Sequence, residues 1–418
     1  MLKLLIGGSP CTHWSIAQKN NRETKAEGIG WELFVNYLYA KEKFQPDFFL
    51  YENNKSAAQP IKDQISAELG VDLMHINSAL VSAQTRQRFY AFNWKVDQPQ
   101  DRGILLQNVI DSGLAWLEKS YAYTTRCNGA IPEDTLSKHR HTMIAEPVIF
   151  QLPRGKNNGG IKYEKSPTLT ANGSFTSNNF VVQRIEEFIF SENVGEAETV
   201  KRALDFLAEK YGYIPEMFNA YNRAEITSKS PTLSTGSMVT SSCATLVFEK
   251  IDEFNDYQIF LEFPDKKRRR AYLVKNGIVF VHGKEYPIKL PDGFYILRKL
   301  SVPEACRLQT LPDNYCRAVS DAQAYKGIGN GWTAEIIIHI LNGALANIPR
   351  DEKLLVLSMY DGIGTGRYCL EKMGFTNIEY HAYEIDKYAM RVANSNYADI
   401  IQHGDAFQLR ESGWSLYR

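Results

Sequence analysis

The chain predicts an α/β fold: a mostly parallel sheet with helices on both faces, interrupted by a smaller, irregular β-rich domain. Three observations carry this expectation. Short apolar runs alternate with helical patterns at both ends of the chain. Two of those runs lead straight into glycine-rich loops. Between about 150 and 290 the texture shifts to Ser, Thr, Asn, Gly and aromatic residues with short alternating runs.

The first run, Leu2 to Ile6, reads as a buried strand, and the loop GGSPCTHWS at 7–15 would present Cys11 at its carboxyl end, where open α/β sheets carry their chemistry. Pro10 fixes the approach to the thiol, which is a candidate nucleophile. GWELFVNYLY at 30–39 has Leu33, Phe34, Tyr37 and Leu38 on one helical face. PDFFLYENN then makes a strand closing on Glu52 and Asn53, followed by a helix over Ile61 to Leu69 and two strand-like segments, MHINSALVSA and RQRFYAFNW. In the middle region FVVQRI, KNGIVFV and KEYPIKL read as strands. A helix over Glu196 to Tyr211 stops at Gly212.

From Leu354 a fresh unit begins, with a strand to Met359, the loop YDGIGTG, a helix over Arg367 to Met373 and a second strand ending at Glu384. Strand, glycine loop, helix, strand, acid is an arrangement that binds an adenosine-bearing cofactor, the acid accepting the ribose hydroxyls. The loop lacks the G-x-G-x-x-G of a dinucleotide site. DIIQHGDAF adds a third strand and Asp405, a partner for an adenine amino group.

Composition limits the remaining classes. Of 418 residues, 44% are apolar and 23% charged, and the formal net charge is zero, so any surface for a polyanion is local rather than global. The six cysteines form no C-x-x-C pair, which argues for a reducing compartment and against a zinc site or disulfide framework. No apolar run approaches the length of a membrane span. A soluble, intracellular protein is expected. KSPTLTANGSF at 165–175 is echoed by KSPTLSTGSM at 229–238, either as two similar turn-plus-strand elements or as paired loops gripping a nucleic-acid backbone. The basic cluster KKRRR at 266–270 reads first as a solvated turn and second as a phosphate contact.

Taken together, GGSPCTHWS, LYENN, QTRQR (Gln84, Arg86, Arg88), RKLSVPEACRLQTLPD, YKGIGNGWT, YDGIGTG, YEID and HGDAF resemble the motif set of the cytosine-5 DNA methyltransferase family. The one departure is Asn54 where the family's Glu-Asn is usually followed by Val. The resemblance implies a Rossmann-like methyltransferase fold and transfer of a methyl group from S-adenosylmethionine, with no metal, to C5 of a cytosine flipped out of double-stranded DNA. S-adenosylhomocysteine would be the product. It further implies that Cys11 adds to C6, that Glu52 bonds N3 and the exocyclic amine, and that Arg88 holds O2 with Arg86 supporting the loop or a phosphate.

The cofactor residues carried over are Tyr360, Asp361, Gly362, Ile363, Gly364, Thr365, Glu384, Ile385, Asp405, Ala406, Asn330 and Trp332. Asn330 has bracing of the catalytic loop as its alternative, and Trp332 has core packing. Ser9, Pro10, Asn53 and Gln84 would line the substrate. An RNA (tRNA) methyltransferase and a silent DNA-binding homologue remain as alternatives.

The motif order is rotated relative to the family, with the cofactor half last, as in a circular permutant joined near ALANIPRDEK. The expected divisions are 1–115 catalytic, 116–290 target recognition, 291–349 a return to the catalytic part and 350–418 cofactor binding. On this reading the first strand sits beside the last and the two termini meet near the cofactor. The protein would act as a monomer on DNA, in the cytoplasm of a bacterium or phage-infected cell, for restriction–modification, orphan or phage-protective methylation.

Overall fold

The computed structural model describes residues 1–15, 22–125, 127–147, 268–281, 283–291 and 293–417, with short strands between 149 and 262. The helix expected over 196–211 and both KSPTL segments lie outside the described residues.

A seven-stranded sheet forms the main body. Its strands are β1 (Leu2–Gly7), β2 (Phe48–Asn54), β3 (Leu73–Asn77), β4 (Gln87–Phe92), β5 (Leu354–Met359), β6 (Ile378–Tyr383) and β7 (Ile400–Gln402), in the order β7-β6-β5-β1-β2-β4-β3. All neighbours are parallel except those of β4, which runs against both β2 and β3. This is the mixed α/β, Rossmann-like architecture expected from the sequence.

Alternation along the strands explains why the sheet is covered twice. On β1, Leu4 and Ile6 enter one apolar cluster while Leu5 enters another. The Leu5 face is covered by α1 (Gly28–Phe44) and α2 (Gln59–Leu69), through Phe34, Tyr37, Ala40, Ile61 and Ile65. The opposite face is covered by α3 (Val302–Leu308), α4 (Asp321–Asn330), α5 (Ala334–Leu345), α6 (Thr365–Lys372) and α7 (Lys387–Asn396). α2 ends on Gly70 in the left-handed region, as its sequence predicts, whereas α1 ends on Gln45, also left-handed.

The chain steps from β1 toward β2 in one direction and from β5 toward β6 in the other, so the topological switch falls between β1 and β5. The first strand therefore sits beside β5, the first strand of the late unit, while the last strand, β7, is at the edge. The termini also differ from the expectation. The Met1 amino group pairs with Glu352, just before β5. Tyr417 packs edge-on against His381 and bonds Glu379, near the start of β6, which Lys353 also grips. Both ends thus gather at the amino edge of the sheet. The carboxyl ends, where a cofactor loop must lie, are on the opposite side.

A second, nine-stranded antiparallel sheet includes the strands Met143–Pro147, Leu246–Lys250, Tyr257–Glu262, Arg268–Lys275, Ile278–Val281, Lys284–Pro287 and Gly293–Lys299. Arg268, Arg269 and Arg270 of the basic cluster lie on one of these strands. Its last strand ends at Lys299, and Ser301 caps α3 two residues later. Arg298 clasps the junction, bonding Glu146 of the second sheet and both oxygens of Glu304 in α3. Glu304 is fully buried and completes a capping box with Ser301, so one carboxylate ends a helix and ties down a sheet.

Candidate active site

The register of the three central strands builds the site. Gly7, the last residue of β1, pairs with Met359 on one side and Tyr51 on the other. The residues that follow emerge together at one end of the sheet: Gly8 to Cys11 from β1, Glu52 and Asn53 from β2, Tyr360 to Gly364 from β5. Neighbouring strands lie about 4.8 Å apart, so these segments are side by side. A Cβ on Gly7 would lie 2.5 Å from the Met359 carbonyl, and one on Gly8 would lie 2.6 Å from the Glu52 carbonyl. Glycine is required at both by close approach.

Cys11 opens a short 3₁₀ turn through His13, and its carbonyl accepts from the amides of Trp14 and Ser15. The thiol is partly exposed. Asn53 holds the loop before it: the buried side-chain amide donates to the Ser9 carbonyl (2.9 Å), the Ser9 hydroxyl (3.2 Å) and the Tyr51 hydroxyl (3.0 Å). Ser9 and Tyr51 share a further bond of 2.7 Å. Asn53 and Ser9 are thus occupied as supports of the loop. Tyr51 was not found from the sequence, where it is one more apolar strand residue.

Glu52 stands at the centre. Arg88 Nε lies 2.9 Å from its Oε1, and Trp332 Nε1 donates to its Oε2 at 3.1 Å. Both side chains of the Arg88–Glu52 pair are nearly buried, so solvent screens the pair little. β4 explains the geometry: Asn54 pairs with Arg88, which puts Glu52, two residues back, diagonally across on the same face.

The other two residues of the Gln-x-Arg-x-Arg run differ. Arg86 is buried and donates to the carbonyls of Tyr123, Gly329 and Gly331. Burial and the nearby Arg88 lower its pKa to about 10. Gln84 is fully buried, donating to the Leu308 carbonyl and accepting the Tyr123 amide. Arg86 braces the turn carrying Trp332, and Gln84 ties Leu308 to Tyr123. Asn330 is exposed at the end of α4.

The late loop, Tyr360 to Gly364, joins β5 to α6. Gly362 and Gly364 adopt left-handed φ of 62° and 79°, and nothing lies within 4 Å of where a Gly362 Cβ would be. Glu384 is held at the end of β6 by the amides of Gly362, Ile385 and Asp386. Ile385 stands 73% exposed beside it. Across the mouth Asp405 is exposed, capping the turn that begins at Ala406. Asp361 accepts from Ser358 and Tyr380, and burial pushes its pKa up to about 6. Its second oxygen and the Thr365 hydroxyl are buried without a partner. The Tyr360 hydroxyl bonds the Leu33 carbonyl and Asn36, and the Ile363 carbonyl accepts from Tyr315, fastening the loop to α1 on one side and to the α3–α4 connection on the other.

A thiol, a clamped carboxylate and a glycine-rich loop lie side by side, an arrangement chemically suited to group transfer. A family model described as C-5 cytosine-specific DNA methylase matches residues 2–344. The chain belongs to that family. It is also similar to the orphan methyltransferase M.SPRI of Bacillus phage SPR, with 24% identity over 217 residues, covering 40% of this chain and 49% of that protein. The chain thus matches about half the length of that curated relative. The family match takes in the Pro-Cys loop, Glu52, the Arg88 strand and Trp332, and ends before β5 begins. Among the described residues of this C-5 methylase family member, no group of three or more His, Cys, Asp or Glu is placed to hold a metal, and no described helix is long and apolar enough to cross a membrane.

Proposed function

We propose that this chain transfers a methyl group from S-adenosylmethionine to C5 of a cytosine flipped out of duplex DNA at one short sequence, and that its catalytic domain is circularly permuted. The observation that carries the reading is the register at Gly7, which brings Cys11, Glu52 and the Tyr360–Gly364 loop to one end of the sheet although they lie at opposite ends of the chain.

Glu384 would hold the cofactor's ribose, Ile385 its base, Asp405 the adenine amine and the Gly362–Thr365 turn its backbone-facing atoms. The open space over Gly362 and the unpartnered Thr365 hydroxyl fit such a group. When bound, the cofactor supplies an electrophilic methyl group on a sulfonium.

The chain's own residues do the rest. Cys11 Sγ, as thiolate, forms a bond to C6, and the C5–C6 double-bond electrons shift through the ring. Glu52, having taken up a proton from solvent as the base binds, passes it to N3 and accepts from the exocyclic amine, which leaves C5 nucleophilic. Arg88, already on Glu52, would bond O2. Transfer of the C5 proton to water after methylation expels the thiolate and re-forms the C5–C6 double bond, and the N3 proton returns to Glu52, restoring the ring. Permutation is supported by the family match, which runs to 344 and leaves β5 to β7 outside it, and by the gathering of both chain ends at the amino edge of the sheet.

Restriction–modification, orphan or phage-protective methylation by a monomer in a bacterial or phage-infected cytoplasm is the setting proposed. Bisulfite sequencing of host DNA after expression tests the chemistry. Wild type should protect cytosines in one short motif and Cys11→Ser should protect none; protection that survives the substitution overturns the mechanism. Methyl incorporation into duplex DNA but not tRNA is the expected substrate result. 5-Fluorocytosine DNA should trap an adduct on Cys11.

A further inference from the structure

The seat that a cytosine would take on Glu52 is already filled from both sides. Its Oε1 accepts from Arg88 and its Oε2 from the Trp332 indole. Cytosine's Watson–Crick edge offers the same kind of donor in its exocyclic amine, aimed at one carboxylate oxygen while N3 meets the other.

Trp332 is not loosely placed. Gly331, next to it, accepts from Arg86 and Gln309, and its own amide caps α4 through the Gly327 carbonyl. The Ile363 side chain of the cofactor-type loop lies 3.6 Å from where a Gly331 Cβ would be. A rigid turn, held from behind by Arg86, therefore delivers one N–H to one oxygen.

We infer that Trp332 is a positioning residue: its indole N–H makes to Glu52 the bond the cytosine amine would make, fixing the carboxylate in the plane the base will need. The inference rests on the proposed cytosine chemistry for its meaning, but the Trp332–Glu52 bond does not. It differs from the role of a cofactor wall, because Trp332 acts through Glu52. The groups that face Glu52 are Arg88, Arg86 and Tyr90 from the β4 side, Tyr51 from its own strand and the Cys11 loop. Unlike the Arg88 guanidinium, the Trp332 donor is neutral, so it orients the carboxylate without neutralising it, and yields to the amine at the cost of one neutral donor.

Indole ¹⁵N–¹H spectra of the full chain test the contact, the Trp332 resonance being assigned by its loss in Trp332→Phe. In Glu52→Gln that resonance should shift upfield as the charged acceptor goes, and in wild type it should shift on adding duplex DNA with 5-fluorocytosine in the methylated motif. Single-turnover methylation tests the role. Trp332→Phe should lower the rate about tenfold with KM for S-adenosylmethionine unchanged, and Trp332→His, which restores an N–H, should recover part of the loss. An indole resonance indifferent to Glu52→Gln overturns the inference, as does a raised KM for S-adenosylmethionine at full rate. If the indole responds to Glu52→Gln but wild type methylates no DNA, the proposed function fails and the contact stands.

Discussion

At the scale of residues, the site is an assembly of donors aimed at a few acceptors. Asn53 makes the case most sharply, because one amide holds the Ser9 carbonyl, the Ser9 hydroxyl and the Tyr51 hydroxyl in a buried position. Asn53→Ala would leave a buried carbonyl short of a donor, a loss of about 1–3 kcal/mol. Methyl transfer should fall roughly ten- to a hundredfold if that loss is felt at the Cys11 loop, measured as single-turnover rate beside a thermal melt.

Asp361 gives a pH signature of opposite sense to the usual carboxylate. Burial raises its pKa to about 6, so the folded chain binds a proton that the unfolded chain has released between about pH 4 and 6. The stability it contributes is present below the unfolded pKa and is lost as pH rises through 6. Asp361→Asn keeps an acceptor for Ser358 and Tyr380 without the charge. It should therefore melt higher than wild type at pH 7, by up to about 3 kcal/mol at about 1.4 kcal/mol per pKa unit, with the gap closing toward pH 5. A gap independent of pH would refute the assignment.

At the scale of elements, the strands around the switch point were legible and the braces were not. Leu354 to Met359 is apolar at all but Ser358 and bounded by a glycine loop, so its extent could be set from the sequence alone, and the structure returns the same residues. Gln84 and Arg86 were read with Arg88 as one motif, but β4 begins at Gln87. Before it the chain does not follow a strand's period of two, so Gln84 and Arg86 turn inward to carbonyls while Arg88 turns to Glu52. Nothing in the spacing of Trp332 and Glu52, or of Tyr51 and Ser9, signals that they touch; those contacts exist because the sheet brings distant loops to one edge.

The Arg298 clasp is likewise an element-scale device. Arg298→Ala would leave Glu304, fully buried, facing only the Ser301 and Asp111 amides, and breaking such a pair costs about 3–5 kcal/mol. The expected outcome is a lowered melting temperature and faster proteolysis at the junction between the second sheet and α3, with Glu304→Gln in the Arg298→Ala background recovering part of it.

At the scale of the whole molecule, the arrangement of chain ends makes a direct prediction about connectivity. Met1 is bound to Glu352, while Tyr417 lies against β6 beside Glu379, which Lys353 grips. A short flexible linker from Tyr417 to Met1, with the chain opened between Ala346 and Asp351, should leave the core intact, since the connection after α5 is a surface turn. Far-ultraviolet circular dichroism unchanged from wild type and a melting temperature within a few degrees are expected; an unfolded product would show that the present order is required by the fold.

The pairing of Leu2 with Leu354 also bears on how the protein comes into being. Strand β1 occupies the middle of the finished sheet, yet one of its two neighbours is synthesised more than three-quarters of the way along the chain. At typical ribosomal speeds that leaves one flank of an apolar strand open for on the order of 20–70 s. During that interval the nascent chain carries an unpaired strand edge of the kind that recruits other chains. The sheet can close only when β5 arrives, and the Cys11 loop, already beside Glu52 and Asn53 of β2, acquires the Tyr360–Gly364 loop at the same moment. An unfinished chain, whatever else it has folded, holds that thiol without its second flank.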